Sequence, residues 1–270
     1  MIRDEQWLLE EKYGGKESTE FEADKKRLAR GEPLGYVIGW QPFLGLKIYL
    51  DSRPLIPRPE TEWWTERLLK EIGGSEMAEQ KMGVRLGRAA RSAPIFCSAN
   101  ERSLQFLDLC AGSGAIGCAA LARLPNAQIY FGEIVPAHET TISKNIRENH
   151  LDEARAHIRI GDLFEPFGNN MKFDIIAANP PYIPSIRMLP PSVIDYEPAQ
   201  ALYAGTDGLE LIRRIATELQ QHLTDDGVAW IECDSAHADT ARALFEAQGF
   251  SANIRLDQYG APRIIVVSFA

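Results

Sequence analysis

From residue 103 to the end of the chain, short apolar runs alternate with longer segments of mixed polarity. This alternation predicts strands and helices in turn, and therefore a mostly parallel sheet with helices on both faces. The predicted strands span residues 104–109, 129–131, 157–160, 173–178, 228–232, 252–256 and 263–269. The predicted helices span residues 115–124, 137–149, 209–222 and 236–248. Because the last two strands are so close along the chain, they are predicted to form an antiparallel hairpin.

The first third of the chain has a different organisation. It is divided by its sequence pattern into a helical segment at 1–35, a hairpin with a following helix at 36–72, and an insertion or linker at 73–102, before the main domain at 103–270. Gly31 and Pro33 give the stop signal for the first segment. The hairpin is predicted from β-rich residues at 36–40 and 44–50, with a turn at Gln41 and Pro42. Its following helix is expected to end at about Ile72.

Composition and charge narrow the class of protein. The chain has 270 residues, of which 45% are hydrophobic and 25% charged, as in an ordinary globular protein. The net charge of −9 argues against a partner held mainly through phosphate charge. The sequence contains neither an apolar run long enough to span a membrane nor a Cys/His spacing typical of a metal site, so we expect no membrane contact and no metal. The acidic N-terminus is unlike a signal peptide, so we expect a soluble intracellular protein.

A glycine-rich loop at residues 108–117 follows the first strand of the main domain and opens a helix. Gly112, Gly114 and Gly117 match the spacing of a dinucleotide-binding fingerprint, in which glycines allow a nucleotide to approach the backbone. Glu133 ends the second strand about 20 residues later, where a carboxylate can accept hydrogen bonds from ribose hydroxyls. This pattern leaves two cofactors open, NAD and S-adenosylmethionine.

Two further carboxylates bear on that choice. Asp108 precedes the glycines, where a negative charge suits the cationic methionine part of S-adenosylmethionine better than a pyrophosphate. Asp162 follows the third strand, where it either accepts a hydrogen bond from an adenine amino group or caps a loop or helix. The position of Asp108 therefore favours the methyl donor.

The most specific motif is Asn179-Pro180-Pro181-Tyr182, directly after the fourth strand. In an open α/β sheet, ligands bind at this carboxyl edge. The prolines fix the backbone and remove its donors, so the turn presents two acceptors, the Asn179 side-chain oxygen and the Pro180 carbonyl. Two fixed acceptors can hold both N–H groups of a planar amide or aromatic amine, and Tyr182 offers a face for stacking. We interpret these four residues as the catalytic site.

The combination of glycine loop and tetrad resembles the class I S-adenosylmethionine-dependent methyltransferases that modify planar nitrogens. Within that class the chain resembles the HemK/PrmC family, the protein-(glutamine-N5) methyltransferases of peptide-chain release factors. The resemblance extends from about Gly31 to the C-terminus and is carried by residues 31–39, Phe43, 55–62, 108–114, 179–183, 196–198, 201–208 and 260–263. The tetrad also occurs in DNA-adenine and RNA-guanine methyltransferases, whereas the Pro-Arg-Pro-Glu-Thr-Glu block at 57–62 is far more diagnostic.

The resemblance implies a Rossmann-like class I methyltransferase fold with a seven-stranded sheet, S-adenosylmethionine as cofactor and S-adenosylhomocysteine as product. It assigns the methionine part of the cofactor to the glycine loop, the ribose to Glu133, and the adenine to Asp162 and Leu163. It assigns the glutamine of the release factor's Gly-Gly-Gln loop to residues 179–182. The full predicted cofactor site is Asp108, Cys110, Ala111, Gly112, Ser113, Gly114, Glu133, Asp162, Leu163 and Asn179.

The sequence departs from the family pattern in two respects. Cys110 stands where the family often has glycine. The N-terminal helical domain that helps to dock the release factor is shortened to about 30 residues, and residues 73–102 are longer than the usual linker. We therefore expect substrate docking to differ from that of the family.

Three other functions remain open from the sequence. A methyltransferase of a DNA or RNA base amine shares the tetrad but needs a basic surface, which only a small cluster at residues 81–91 provides. An NAD-dependent oxidoreductase accounts for the glycines but not for the tetrad. A binding-only relative without activity is the third. If the protein modifies a release factor, we expect it to be mitochondrial in a eukaryote and cytoplasmic in a bacterium. The sequence does not predict the oligomeric state.

Overall fold

The main domain is a seven-stranded sheet. A computed structural model of the chain describes residues 3–82 and 103–270, with the backbone alone for residues 74–82. The strands are β3 (Leu104–Leu109), β4 (Ala127–Glu133), β5 (Ala156–Ile160), β6 (Phe173–Ala178), β7 (Leu223–Glu232), β8 (Phe250–Leu256) and β9 (Pro262–Phe269). Their order is β5-β4-β3-β6-β7-β9-β8, and β9 runs antiparallel to both of its neighbours. The predicted parallel sheet with an antiparallel C-terminal hairpin is confirmed.

The described helices are α1 (Arg3–Tyr13), α2 (Thr19–Ala29), α3 (Leu34–Ile38), α4 (Pro59–Met82), α5 (Ala115–Arg123), α6 (Pro136–Glu148), α7 (Pro191–Ile194), α8 (Glu210–His222) and α9 (Ala238–Glu246). Five of them, α4, α5, α6, α8 and α9, pack on the two faces of this sheet, and α1, α2 and α3 form a separate small core. One hydrophobic core lies between the sheet and α4, α5 and α6, and the other lies beneath α8 and α9. In α8, Ile212, Ile215 and Leu219 recur at helical spacing and are fully buried in the second core.

The small hairpin before the main domain exists, but its predicted boundaries are wrong. Its strands are β1 (Trp40–Phe43) and β2 (Leu46–Tyr49), so Gln41 and Pro42 belong to a strand, and the turn lies at Leu44 and Gly45. Residues 36–38, predicted as strand, belong to α3 instead. Val37 and Ile38 pack there against Leu8 and Phe21, so burial against α1 and α2 overrides local strand propensity.

The helix expected to end near Ile72 continues to Met82, so that predicted end is wrong. The rest of the predicted insertion or linker, including most of its basic cluster, lies outside the described residues. Within the described part of the chain, no helix is long and apolar enough to cross a membrane.

The N-terminal helices are held together by a buried carboxylate. Asp24 on α2 accepts hydrogen bonds from Lys12 Nζ at 2.7 Å, Tyr13 OH at 2.7 Å and Arg27 Nη1 at 2.8 Å. Burial alone would raise the pKa of Asp24, but these three donors outweigh it and the pKa is lowered. Asp24 therefore joins α1 to α2 as an anion.

We expect Asp24→Asn to destabilise the protein by about 1–3 kcal/mol at neutral pH, because two cations lose their anionic acceptor. Since the folded-state pKa is lowered, this stabilisation is present above the unfolded-state pKa of about 3.9 and is lost as the pH falls through the folded-state value. Urea unfolding at pH 7 and at successively lower pH measures the effect, and the difference from wild type should shrink in acid. Asp225→Asn is the control, because that side chain is fully exposed. Equal stability of both variants at pH 7 would contradict the role of Asp24.

Candidate functional site

The carboxyl ends of β3 to β6 open into one cavity of about 490 Å³. The strand order changes direction at β3, which has β4 on one side and β6 on the other. Such a switch point is the usual ligand site of an open α/β sheet. The cavity volume is within the range of small-molecule and cofactor sites. The motifs singled out from the sequence, although far apart along the chain, meet here.

The glycine loop forms one wall through an unusual run of backbone conformations. Cys110, Gly112 and Gly114 have φ values of 61°, 56° and 76°, in the left-handed region. The loop closes on itself because Gly114 N donates to Ala111 O at 2.7 Å. Glycine adopts this region without strain, whereas a side chain such as that of Cys110 does so at a cost of order 1 kcal/mol. This explains why glycine suits the position of Cys110, which still lines the cavity.

Asp108 lies beneath the loop and does not line the cavity. It is fully buried, and its Oδ2 accepts a hydrogen bond from Gly117 N at 2.8 Å in the first turns of α5. Its Oδ1 is buried and has no hydrogen-bond partner among the described residues. Burial raises the pKa of Asp108 well above the usual carboxyl value, and the nearby Glu133 adds to this effect. The structure therefore gives Asp108 a supporting role under the loop in place of the expected direct contact with a cofactor.

Glu133 ties the ends of two strands together at the cavity wall. Its Oε2 accepts from Gly112 N at 2.7 Å, and its Oε1 accepts from Val135 N at 2.8 Å. Both oxygens are thus fixed, while the residue still lines the cavity. Each carboxylate oxygen has a second lone pair, so Glu133 can accept further hydrogen bonds from a ligand hydroxyl.

Asp162 and Leu163 line the cavity as predicted, at the end of β5. Asp162 Oδ2 accepts from Arg214 Nη2 of α8 at 2.9 Å, and Arg214 also lines the cavity. Arg214 was not predicted from the sequence. No local pattern marks it, since α8 reads as an ordinary amphipathic helix.

The Asn-Pro-Pro-Tyr tetrad follows β6 and lies between two cavities. Asn179 and Pro181 line the large one, whereas Pro180 and Tyr182 line a smaller adjacent cavity of about 50 Å³. Asn179 borders both. Its Nδ2 donates to Thr61 Oγ1 at 3.0 Å, which leaves Oδ1 as a free acceptor for a ligand.

The structure therefore separates the predicted cofactor residues into two sets. Those lining the large cavity are Cys110, Ala111, Gly112, Ser113, Glu133, Asp162, Leu163 and Asn179. Asp108 and Gly114 do not line it, and instead shape the loop from below and at the start of α5. These placements are consistent with the predicted roles of the first set, which remain predictions.

Residues 55–62 contribute to the walls of both cavities. Arg58 pairs with Glu197 at 2.6 Å, and Glu62 Oε1 accepts from Leu44 N at 2.6 Å. These contacts fix the segment so that Leu55 and Thr61 reach the large cavity. The Pro-Arg-Pro-Glu-Thr-Glu block thus has a structural role at the site, and it was the one signal in the sequence for Thr61.

Glu232, which was not predicted, lies behind the tetrad at the end of β7. Its Oε2 accepts from Thr61 Oγ1 and from Trp64 Nε1, both at 2.7 Å, and its Oε1 accepts from Tyr182 OH at 2.9 Å. Burial raises the pKa of Glu232, although the three donors oppose this. Burial also raises the pKa of Tyr182 well above its usual value, reinforced by Glu232, so Tyr182 stays a neutral donor. The available signal for Glu232 in the sequence was an acidic residue at the end of a buried strand.

His138 is a further cavity residue absent from the predicted site. Its Nδ1 lies 2.8 Å from Ser52 Oγ, and Ser52 in turn contacts Thr141 Oγ1 at 2.7 Å. Burial lowers the pKa of His138, with Glu133 partly opposing this, so the imidazole is neutral at physiological pH. These contacts fix the start of α6 against the segment after the hairpin.

Comparison with known proteins identifies relatives over most of the chain. A release factor glutamine methyltransferase of Geobacter sulfurreducens is 34% identical over 226 residues, covering 83% of this chain and 68% of that protein. A protein of the same name from Lactococcus lactis subsp. lactis is 31% identical over 265 residues, covering 96% of this chain and 86% of that protein. The family model described as "Conserved hypothetical protein 95" matches residues 95–191.

Among solved structures, the hMettl16 catalytic domain in complex with a MAT2A 3'UTR hairpin matches with a TM-score of 0.55 at 16% identity, covering 84% of this chain and 76% of that chain. That likeness concerns the fold alone. The sheet order and the cavity at the strand ends, together with this likeness, define a Rossmann-like methyltransferase fold. The chain belongs to the release factor glutamine methyltransferase family. The predicted family and fold are thereby confirmed, and family membership favours a methyl donor over a dinucleotide for the glycine loop.

Packing under the glycine loop gives a test of this geometry. A Cβ atom at Gly117 would lie 2.2 Å from Phe131 Cε1, inside the first core. We expect Gly117→Ala to destabilise the protein by about 1–3 kcal/mol, because Phe131 must move out of a packed sheet. Gly73→Ala is the matched control in another helix, since its Cβ meets no described atom within 4 Å, and it should stabilise by about 0.5–1 kcal/mol. Urea unfolding measures both; a Gly117→Ala variant as stable as wild type would contradict the contact.

Proposed function

We propose that the protein transfers a methyl group from S-adenosylmethionine to the side-chain amide nitrogen, N5, of the glutamine in the Gly-Gly-Gln motif of a peptide-chain release factor, and so tunes translation termination. The names of its relatives support the substrate class. The observation that carries the proposal is the position of Asn179 between the two cavities, with its amide nitrogen bound to Thr61. A substrate group that enters the small cavity therefore contacts Asn179 Oδ1 next to the large cavity.

The residues of the large cavity fit S-adenosylmethionine. Glu133 and Asp162 bring two carboxylates, whereas the one guanidinium among the described residues that line the cavity, Arg214, is already paired with Asp162. This balance suits a cationic sulfonium with ribose hydroxyls and disfavours a doubly negative pyrophosphate. We assign Glu133 to the ribose, Asp162 and Leu163 to the adenine, and residues 110–113 to the methionine part. The cofactor supplies an electrophilic methyl group when bound, and S-adenosylhomocysteine is the product.

The chain's own contribution is to position a poor nucleophile. The lone pair of an amide nitrogen is delocalised, so the nitrogen attacks only when its orientation is fixed. Asn179 Oδ1 and the Pro180 carbonyl accept the two N–H groups of the glutamine amide and turn its nitrogen toward the large cavity. Fixing reacting groups in this way can remove several kcal/mol from a barrier. Methylation makes the nitrogen strongly acidic, so its proton can leave to water without a strong base.

We expect Glu133→Gln to weaken binding of S-adenosylhomocysteine about tenfold or more. An amide cannot accept from both Gly112 N and Val135 N, and one of its ends then opposes a backbone donor. Isothermal titration calorimetry measures the affinity. Glu139→Gln on the exposed side of α6 is the matched control and should bind as wild type does. Equal affinity in the two variants would contradict the assignment of Glu133.

We expect wild-type protein to add one methyl group to the Gly-Gly-Gln glutamine of a purified release factor, detected by mass spectrometry of the peptide. Asn179→Ala should lower kcat about 100-fold or more, because the amide loses a fixed acceptor. Asn253→Ala, at an exposed position of the edge strand β8, should retain wild-type activity. Absence of methylation by the wild-type protein would overturn the proposed function, and normal activity of Asn179→Ala would overturn the role of the tetrad.

A further inference from the structure

The groups behind the tetrad form a chain of hydrogen bonds that begins at Glu232 and ends at Asn179. Asn179 Nδ2 donates to Thr61 Oγ1 at 3.0 Å, and Thr61 Oγ1 donates to Glu232 Oε2 at 2.7 Å. Thr61 and Glu232 are 4% and 1% exposed, so water does not compete for the bond between them. Glu232 lines neither cavity, and it therefore acts only through the residues that it holds.

The direction of each hydrogen bond follows from the donors available. The indole Nε1–H of Trp64 can only donate, and it shares Oε2 with Thr61, so an unprotonated Oε2 accepts from both. This holds whether or not Glu232 carries a proton on its other oxygen. The single hydroxyl hydrogen of Thr61 is thereby committed to Glu232. Thr61 Oγ1 can then only accept from Asn179, and the amide must present its NH₂ group to Thr61.

This order of bonds decides what Asn179 offers to a ligand. With Nδ2 turned toward Thr61, the opposite side of the amide carries the oxygen, an acceptor. If the amide flipped, two N–H donors would face the N–H groups of a substrate amide, and neither side could form a hydrogen bond. A free asparagine has no strong preference between these orientations.

We propose that Glu232 and Thr61 are positioning residues that fix the Asn179 amide with its oxygen toward the ligand, and that Glu232 holds Tyr182 beside it in the same way. This inference rests on the proposed function, since it assigns a substrate-orienting role to that site. Tyr182 donates to the other oxygen of the same carboxylate. One buried carboxylate thus sets both the hydrogen-bonding direction and the aromatic wall of the small cavity.

Thr61 provides a matched pair of variants. Thr61→Val keeps the shape of the side chain but removes the hydroxyl, whereas Thr61→Ser keeps the hydroxyl and loses a methyl group. A purely structural role for Thr61 predicts that the serine variant is affected at least as much, because it leaves a small void. The proposed role predicts that serine rescues what valine loses.

The first measurement needs no substrate. The side-chain NH₂ signals of Asn179 in a ¹H–¹⁵N correlation spectrum are assigned by their loss in Asn179→Asp. In wild type and Thr61→Ser we expect slow hydrogen exchange of these signals, and in Thr61→Val an exchange about tenfold or more faster, as for the loss of one buried hydrogen bond. Equal exchange rates in Thr61→Val and wild type would overturn the inference.

The second measurement is methyl transfer to the release factor at saturating cofactor, because Thr61 also lines the large cavity. We expect Thr61→Val to lower kcat about tenfold or more with little change in the KM for the release factor, and Thr61→Ser to remain within about threefold of wild type. A serine variant as slow as the valine variant, or a valine variant as fast as wild type, would overturn the inference. If wild-type protein methylates no release factor, the proposed function fails, while the exchange rates still decide the orientation of Asn179.

Glu232→Gln distinguishes the roles of the two carboxylate oxygens, of which Oε2 binds Thr61 and Trp64 and Oε1 binds Tyr182. Trp64 Nε1–H requires an acceptor, so the glutamine oxygen should take the place of Oε2 and its nitrogen should face Tyr182 OH. We therefore expect the Asn179 exchange rate to stay within about threefold of wild type while Tyr182 becomes the acceptor of the pair. Exchange as fast as in Thr61→Val would overturn the hydrogen-bond order given above.

Discussion

Buried carboxylates at the ends of the sheet strands hold the site together. Asp108 near the end of β3, Glu133 at the end of β4 and Glu232 at the end of β7 each accept hydrogen bonds from a neighbouring loop or helix. Backbone and side-chain donors buried at this edge need partners, since an unpaired buried donor costs about 1–3 kcal/mol. The loops that form the cavity adopt their shapes because these acceptors lie within reach.

The same acceptors connect stability to chemistry. Burying a carboxylate is unfavourable, which is why the pKa values of Asp108 and Glu232 are raised. Their hydrogen bonds offset part of that cost. The same hydrogen bonds fix the donors and acceptors of the site before a ligand arrives. Preorganisation of this kind is the main way in which a protein without a strong base can assist an amide nitrogen.

Much of the fold was predictable from the sequence because the main domain follows simple periodicities. The strands β3 and β6 coincide with their predicted residues 104–109 and 173–178, since short, mostly apolar segments of that length fit a sheet buried on both faces. The predicted hairpin starts too early because residues 36–38 have strand propensity but pack as part of helix α3 on the N-terminal core. The helix after it was ended too early at Gly73 and Gly74, where α4 continues without a break.

By itself, the sequence determined the sheet, the glycine loop, the tetrad and the family, because each is recognised from short segments whose pattern is local. Only the tertiary structure decided which of these residues touch the cavity and which support it from behind. Asp108 proved to lie beneath the loop, and Arg214, Thr61 and Glu232 joined the site from distant segments. Thr61 and Glu232 are 171 residues apart. Their contact follows from the packing of α4 against the end of β7, and no local pattern in the chain specifies it.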